Sequence, residues 1–178
     1  MRVFGYGGGV VLGVLGLAFS CLAEEAVVLS VESGKITAPF VVSNGFLWQL
    51  QSKVHGNPGR AVYHFALTSG GSYVLRALVN TSGEGPHSFL VNIDAEPDRT
   101  AMVWDVPRAS GLTNQIVSWS SEVVPNQVRL PRKVFHLPAG EHDLIICGNA
   151  GDAQLARFVL VGLPPAPTGL HLSGQTGH

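Results

Sequence analysis

Hydrophobic and polar positions alternate with a period of two along most of the chain between Ala26 and Gly162. The clearest case is Tyr73–Asp94. Tyr73, Leu75, Ala77 and Val79 alternate with Val74, Arg76, Leu78 and Asn80, and Phe89, Val91 and Ile93 alternate with Ser88, Leu90, Asn92 and Asp94. That period sends one set of side chains into a core and the other outward, so both segments predict strands. The link TSGEGP carries the Gly and Pro of a tight reversal and predicts an antiparallel hairpin. FHLPAGEHDLIICG repeats the design, with Leu144 and Ile146 facing inward.

The same pattern predicts strands at AVVLSVES, ITAPFVV, FLWQLQ, RAVYHFAL, AMVWDV, QIVSWSSEVV, RKVFHL and QLARFVLVG. About ten short strands with regular turn signals define an all-β antiparallel sandwich or barrel. No segment carries a helical period. The predicted core includes Tyr73, Leu75, Phe89, Val91, Ile93, Leu144 and Ile146.

Both ends of the chain break the pattern. Residues 1–23 read as a signal peptide: Arg2 is the positive region, VVLGVLGLAF the apolar run, and Cys21-Leu22-Ala23 the cleavage region. The apolar run is shorter than the roughly 20 residues of a membrane span. A lipoprotein reading would acylate Cys21, but Ala18 is a poor match to the Leu expected there. The expected product is a secreted, periplasmic or cell-envelope protein with a domain at 24–163 and a Pro/Gly-rich tail at 164–178. Cleavage removes Cys21, one of the two cysteines, so Cys147 has no intrachain partner and is expected to be a small core residue.

Charge and motifs narrow the function. Eleven Lys and Arg stand against 12 Asp and Glu, for a net charge of -1, with no basic run. A nucleic-acid footprint is therefore absent. The histidines show neither HxH nor HExxH spacing, and no GxSxG, Cys-His pair or phosphate loop occurs. Glu32, Asp94, Asp105 and Asp152 would have to be gathered by the fold to form a hydrolytic pair.

The ordered motifs resemble a known family. They are Val31-Glu32, Gly59-Arg60-Ala61-Val62-Tyr63, Gly71-Ser72-Tyr73-Val74-Leu75, His87-Ser88-Phe89 leading to Ile93-Asp94, Trp104-Asp105, Trp119, Phe135–His142 and the closing strand Leu155–Leu160. Together they resemble the galactose-binding-like jelly roll of bacterial carbohydrate-binding modules and malectin-like domains. The resemblance spans about residues 25–162 and implies a non-catalytic module whose partner is a carbohydrate or glycan surface. It also implies ligand contacts from loops at one end of the sandwich, where Asn149 and Asp152 are the hydrogen-bonding candidates. Two positions depart from the relatives: His87 stands where many carry Asp, and Ala156-Arg157 stand where many carry a calcium-binding Asp. No metal or other cofactor is expected, since calcium needs several oxygen ligands and Glu32 alone does not supply them. The tail's Pro165–Leu170 looks like the opening of a fibronectin type III domain.

Sugar recognition also calls for a flat aromatic face. Trp48 is expected in the core. Trp104 and Trp119 have polar neighbours and are the candidate platforms, with core packing as the alternative for each. Their exposure separates a sugar-binding module from a structural or protein-interaction module of the same fold. A glycan-active enzyme is a third reading.

Overall fold

Twelve strands form where the alternation stands: β1 (Ala26–Ser30), β2 (Lys35–Thr37), β3 (Val41–Ser43), β4 (Phe46–Trp48), β5 (Arg60–Leu67), β6 (Gly71–Asn80), β7 (Ser88–Ile93), β8 (Val103–Asp105), β9 (Leu112–Ile116), β10 (Val134–Leu137), β11 (Gly140–Ala150) and β12 (Gln154–Gly162). They belong to a computed structural model that describes residues 25–49, 58–81, 86–120 and 131–165. The leader at 1–23 and the tail beyond Pro165 lie outside the described residues.

The strands make two antiparallel sheets. One has seven strands, ordered β10-β6-β12-β4-β3, with β1 also on β12 and β9 also on β6; the other has five, ordered β2-β5-β11-β7-β8. Every residue of the predicted core is buried between them, from Val91, Leu144 and Ile146 at 0% exposure to Ile93 at 7%. The fold is an all-β jelly-roll sandwich, as the alternation and the motif order imply.

The pairing differs from the expected hairpins. β6 lies in the seven-stranded sheet and β7 in the five-stranded one, so the two do not pair as a hairpin. β10 and β11 are divided in the same way. All six residues of β7 are buried. Its inner set joins the main core, while Leu90 on its outer side packs with Ile145 and Cys147 against Val62 and Val103. Cys147 is therefore buried as expected, but in a small cluster outside the sandwich core. Burial pushes its thiol pKa up, which suits a structural thiol rather than a reactive one.

Other boundaries also move. AVVLSVES ends in a 3-10 turn at Val31–Ser33. ITAPFVV is split at the cis Ala38-Pro39 bond into β2 and β3, which belong to different sheets. The strand expected over QIVSWSSEVV instead runs from Leu112 to Ile116. Beyond it, Val117 bonds Leu75 of β6, while Trp119 and Ser120 bond the Val91 and Val103 carbonyls of the other sheet. Residues 117–120 thus close the side of the sandwich.

The chain enters and leaves at one end. The Gly162 amide donates to the Glu25 carbonyl at 2.8 Å, and the Leu163 amide to Ser72 at 2.7 Å. The Glu25 carboxylate accepts from the Thr68 amide and hydroxyl, the Ser69 hydroxyl and the Tyr73 phenol. These bonds, led by the Thr68 amide, lower its pKa to about 2.

Near the same end, His142 is buried with both ring nitrogens on acceptors: Nδ1 is 2.7 Å from Asp94 Oδ2 and Nε2 is 3.0 Å from the Pro138 carbonyl. Only an imidazolium donates both bonds. Burial opposes the charge, but Asp94, Pro138 and Glu141 outweigh it and raise the pKa. Beside it, exposed His64 bridges Asp143 at 2.9 Å and Glu141 at 3.0 Å, and its pKa is raised chiefly by the Asp143 bond. Both folded-state values lie above the unfolded one of about 6.5. The stabilisation is therefore complete below that pH and is lost as pH rises through the folded values. The melting temperature should fall as pH rises above about 6.5 through the raised folded-state values, and His142→Asn should flatten that slope. An unchanged slope in the variant would show that these contacts do not set it.

Candidate functional site

At the end opposite the termini, the strand ends of both sheets form a polar rim. The turn from β11 to β12 is its centre. Gly151 there has a φ of 82°, and a Cβ on it would stand 2.5 Å from both His87 Nδ1 and the Pro86 carbonyl. Glycine alone lets the turn press onto the start of β7. Asn149 and Asp152 flank that turn, the first half-buried and the second exposed.

Asn149 donates from Nδ2 to Ser88 Oγ at 2.8 Å. Asp152 has a half-exposed side chain, with Oδ1 3.4 Å from Nδ1 of the fully buried His87 ring. Neighbouring strand ends extend the rim. Asn80 Nδ2 donates to Gln154 at 3.0 Å, and Asp105 pairs in register with Ser88. Beneath them, buried Gln49 accepts from the Gly59 amide at 2.9 Å. It lies so close to Gly148 that a Cβ there would be 2.5 Å from its amide. The structure thus brings Asn149 and Asp152 to one rim, as the resemblance implies. His87 and Gln49 join them without having been chosen as site residues. Their signal was the run of glycines at 59, 148 and 151, which mark close approach of a neighbour.

The two expected platforms are corrected. Trp104 is 0% exposed and stacks 6.0 Å from Phe89, so it has no face for a ligand. Trp119 is half-buried and packed against the core. Its Nε1 donates to the Val91 carbonyl at 3.0 Å, Phe135 meets it edge-on at 6.2 Å, and Lys133 Nζ lies 3.6 Å from its ring centroid. Both rings seal the sandwich. Trp48, expected inside, is the one turned outward: Leu47 takes the core position on β4, leaving Trp48 half-buried on the opposite face.

β12 bulges between Leu155 and Arg157, and Arg157 pairs with Ser30, two residues before Glu32. Among the described residues, no three His, Cys, Asp or Glu converge as a metal site. Of the four carboxylates considered for hydrolysis, Asp94 and Asp105 lie at opposite ends of β7, whereas Asp105 and Asp152 both lie near its start.

Solved structures share this fold. A family 35 carbohydrate-binding module from Clostridium thermocellum is 12% identical, with a TM-score of 0.54, over 78% of this chain and 99% of that one. Family 35 module CBM35 from Paenibacillus barcinonensis is 9% identical, also at 0.54, over 77% and 99%. The GH26-CBM35 β-(1,4)-mannanase of Podospora anserina is 12% identical at 0.54, and the match covers 80% of this chain but 29% of that one. No protein-family model and no curated protein sequence matches the chain. These likenesses establish the class of fold, the jelly-roll sandwich of carbohydrate-binding modules.

Proposed function

We propose that this protein is a secreted, non-catalytic carbohydrate-binding module that takes its ligand at the rim, without calcium. The observation that carries the reading is the Gly151 turn, which packs on the start of β7 and bears Asn149 and Asp152 on its two sides, at the end of a fold shared with carbohydrate-binding modules. Asp152 accepts from hydroxyls, and Asn149 offers its amide oxygen, which has no bond among the described residues. The leader at 1–23 supports secretion.

A glycan array probed with the protein, with and without EDTA, tests this. Binding should persist in EDTA, leave the glycan uncleaved, and weaken about tenfold or more in Asn149→Ala/Asp152→Ala, as expected for loss of hydrogen bonds to a ligand. A folded double variant that binds like the parent would refute the rim assignment. The second reading, a structural or protein-interaction module, is favoured by the commitment of Trp104 and Trp119 to packing. An array with no bound glycan would select it.

A further inference from the structure

Proteins blunt the edges of their sheets with charges, prolines, bulges or very short strands. Among the described residues, most edges of this sandwich follow that rule. β2, β3 and β8 have three residues each and β10 has four. β1 runs into the 3-10 turn, and its Ser30 carbonyl accepts from the Ser33 hydroxyl at 2.8 Å. β9 is different. Its five residues, LTNQI, include no charge, no proline and no glycine, and among the described residues it pairs only with β6.

The register on β6 fixes where the β9 backbone points. The Val117 amide donates to the Leu75 carbonyl at 2.9 Å, one step beyond the Ile116–Arg76 pair. Bonded and non-bonded pairs alternate along an antiparallel ladder. Thr113 and Gln115 therefore bond β6, while the N–H and C=O groups of Leu112, Asn114 and Ile116 point away from it, toward the open edge. None of these groups has a bond among the described residues. The side chains of the same residues are exposed, Leu112 at 53% and Ile116 at 40%. The strand also matches itself. Turned end for end about Asn114, it sets Leu112 opposite Ile116 and Thr113 opposite Gln115.

We propose that β9 pairs with β9 of a second copy of this chain, antiparallel about a two-fold axis at Asn114, so that two seven-stranded sheets become one. Leu112 bonds the partner's Ile116, Asn114 the partner's Asn114, and Ile116 the partner's Leu112, each pair exchanging both backbone bonds. On the outer face Leu112 and the partner's Ile116 make an apolar contact at either end, and the two Asn114 amides, each with donors and an acceptor, face one another between them. Gly111 stands where the partner strand continues, with nothing within 4 Å of its Cβ position. A strand from another protein could use the same backbone groups, but the matched apolar ends favour a second copy. Five residues a side fall short of the roughly 20–30 of a standard interface, so the dimer is reversible and forms as concentration rises. Leu112 pairs with Asn80 at the rim, so the two-fold sends the two rims to opposite ends of the joined sheet. On the rim reading above, the dimer bridges two glycan chains instead of gripping one twice. The dimer itself does not depend on that reading.

Sedimentation velocity over a series of protein concentrations tests the proposal. The sedimentation coefficient should rise with concentration from that of a monomer toward that of a dimer. Asn114→Pro removes an outward N–H and leaves the bonds to β6 in place, which is where a strand tolerates proline. Leu112→Lys puts a charge on the edge and changes only an exposed side chain, so it remains informative should the proline variant unfold. Each should weaken association about tenfold or more. Cross-linking reads the register. Bonded partners stand about 5.5 Å apart between Cα atoms, within reach of a disulfide, so Asn114→Cys should oxidise to a covalent dimer. Val28→Cys, at a site 61% exposed on β1, should remain monomeric under the same oxidant. Association that Leu112→Lys leaves unchanged, or equal cross-linking by the two cysteine variants, would overturn the proposal. A monomer at every concentration would overturn it too, and would leave the β9 edge to a strand of another protein.

Discussion

Trp104→Ala is expected to lower the free energy of unfolding by about 3–5 kcal/mol, the range for a large aromatic removed from a packed core. Trp104 is fully buried and lies against Phe89, which in turn packs 6.3 Å from Phe40. Truncation would leave a void that β8 is poorly placed to fill, because β8 is short and, among the described strands, pairs only with β7. Trp104→Phe should cost much less. It keeps an aromatic in the gap and removes an indole N–H that has no partner among the described residues. Urea unfolding of the parent and both variants measures this. A loss below about 1 kcal/mol for the alanine variant would mean that the ring is not a core element.

The second large effect is expected at Gly151. Gly151→Ala places a methyl group 2.5 Å from the Pro86 carbonyl, in a left-handed backbone conformation. The conformation alone costs roughly 1–2 kcal/mol. The backbone contact adds to it, for a total of about 2–4 kcal/mol. The turn must move away from His87, taking Asn149 and Asp152 with it. Glycan binding should therefore fall even where the variant remains folded. Gly45→Ala is the matched control: it also has a positive φ, of 76°, but nothing lies within 4 Å of its Cβ position. A Gly151 variant no less stable than the Gly45 variant would show that the turn does not press on β7.

The faces of the strands were legible in the sequence because period two is a local property. Tyr73, Leu75, Phe89, Val91, Ile93, Leu144 and Ile146 are all inside. The neighbours of each strand were not legible. Alternation tells which side chains point inward but not which strand lies alongside, so β6 and β7 look like a hairpin and belong to different layers. The tryptophans show the same limit from the other side. Asp105 beside Trp104, or Ser118 and Ser120 beside Trp119, says little about the indole's own face, because adjacent residues on an extended chain point opposite ways. Read by that rule, the burial of Leu47 sends Trp48 outward. The rim turn was found through the order of the motifs. The contact between Gly151 and His87 was not, since it joins residues 64 apart in the chain.

The pairing of Gly162 with Glu25 has a mechanical consequence. Tension applied through residues 25 and 163 acts on β1 and β12 from the same end of their shared ladder, beginning at Ala26 and Val161. Those bonds are loaded one at a time, as in peeling, rather than all together as in shear. The sandwich should therefore open under a small pulling force, β1 first, with the Glu25 anchor as the first contact to yield.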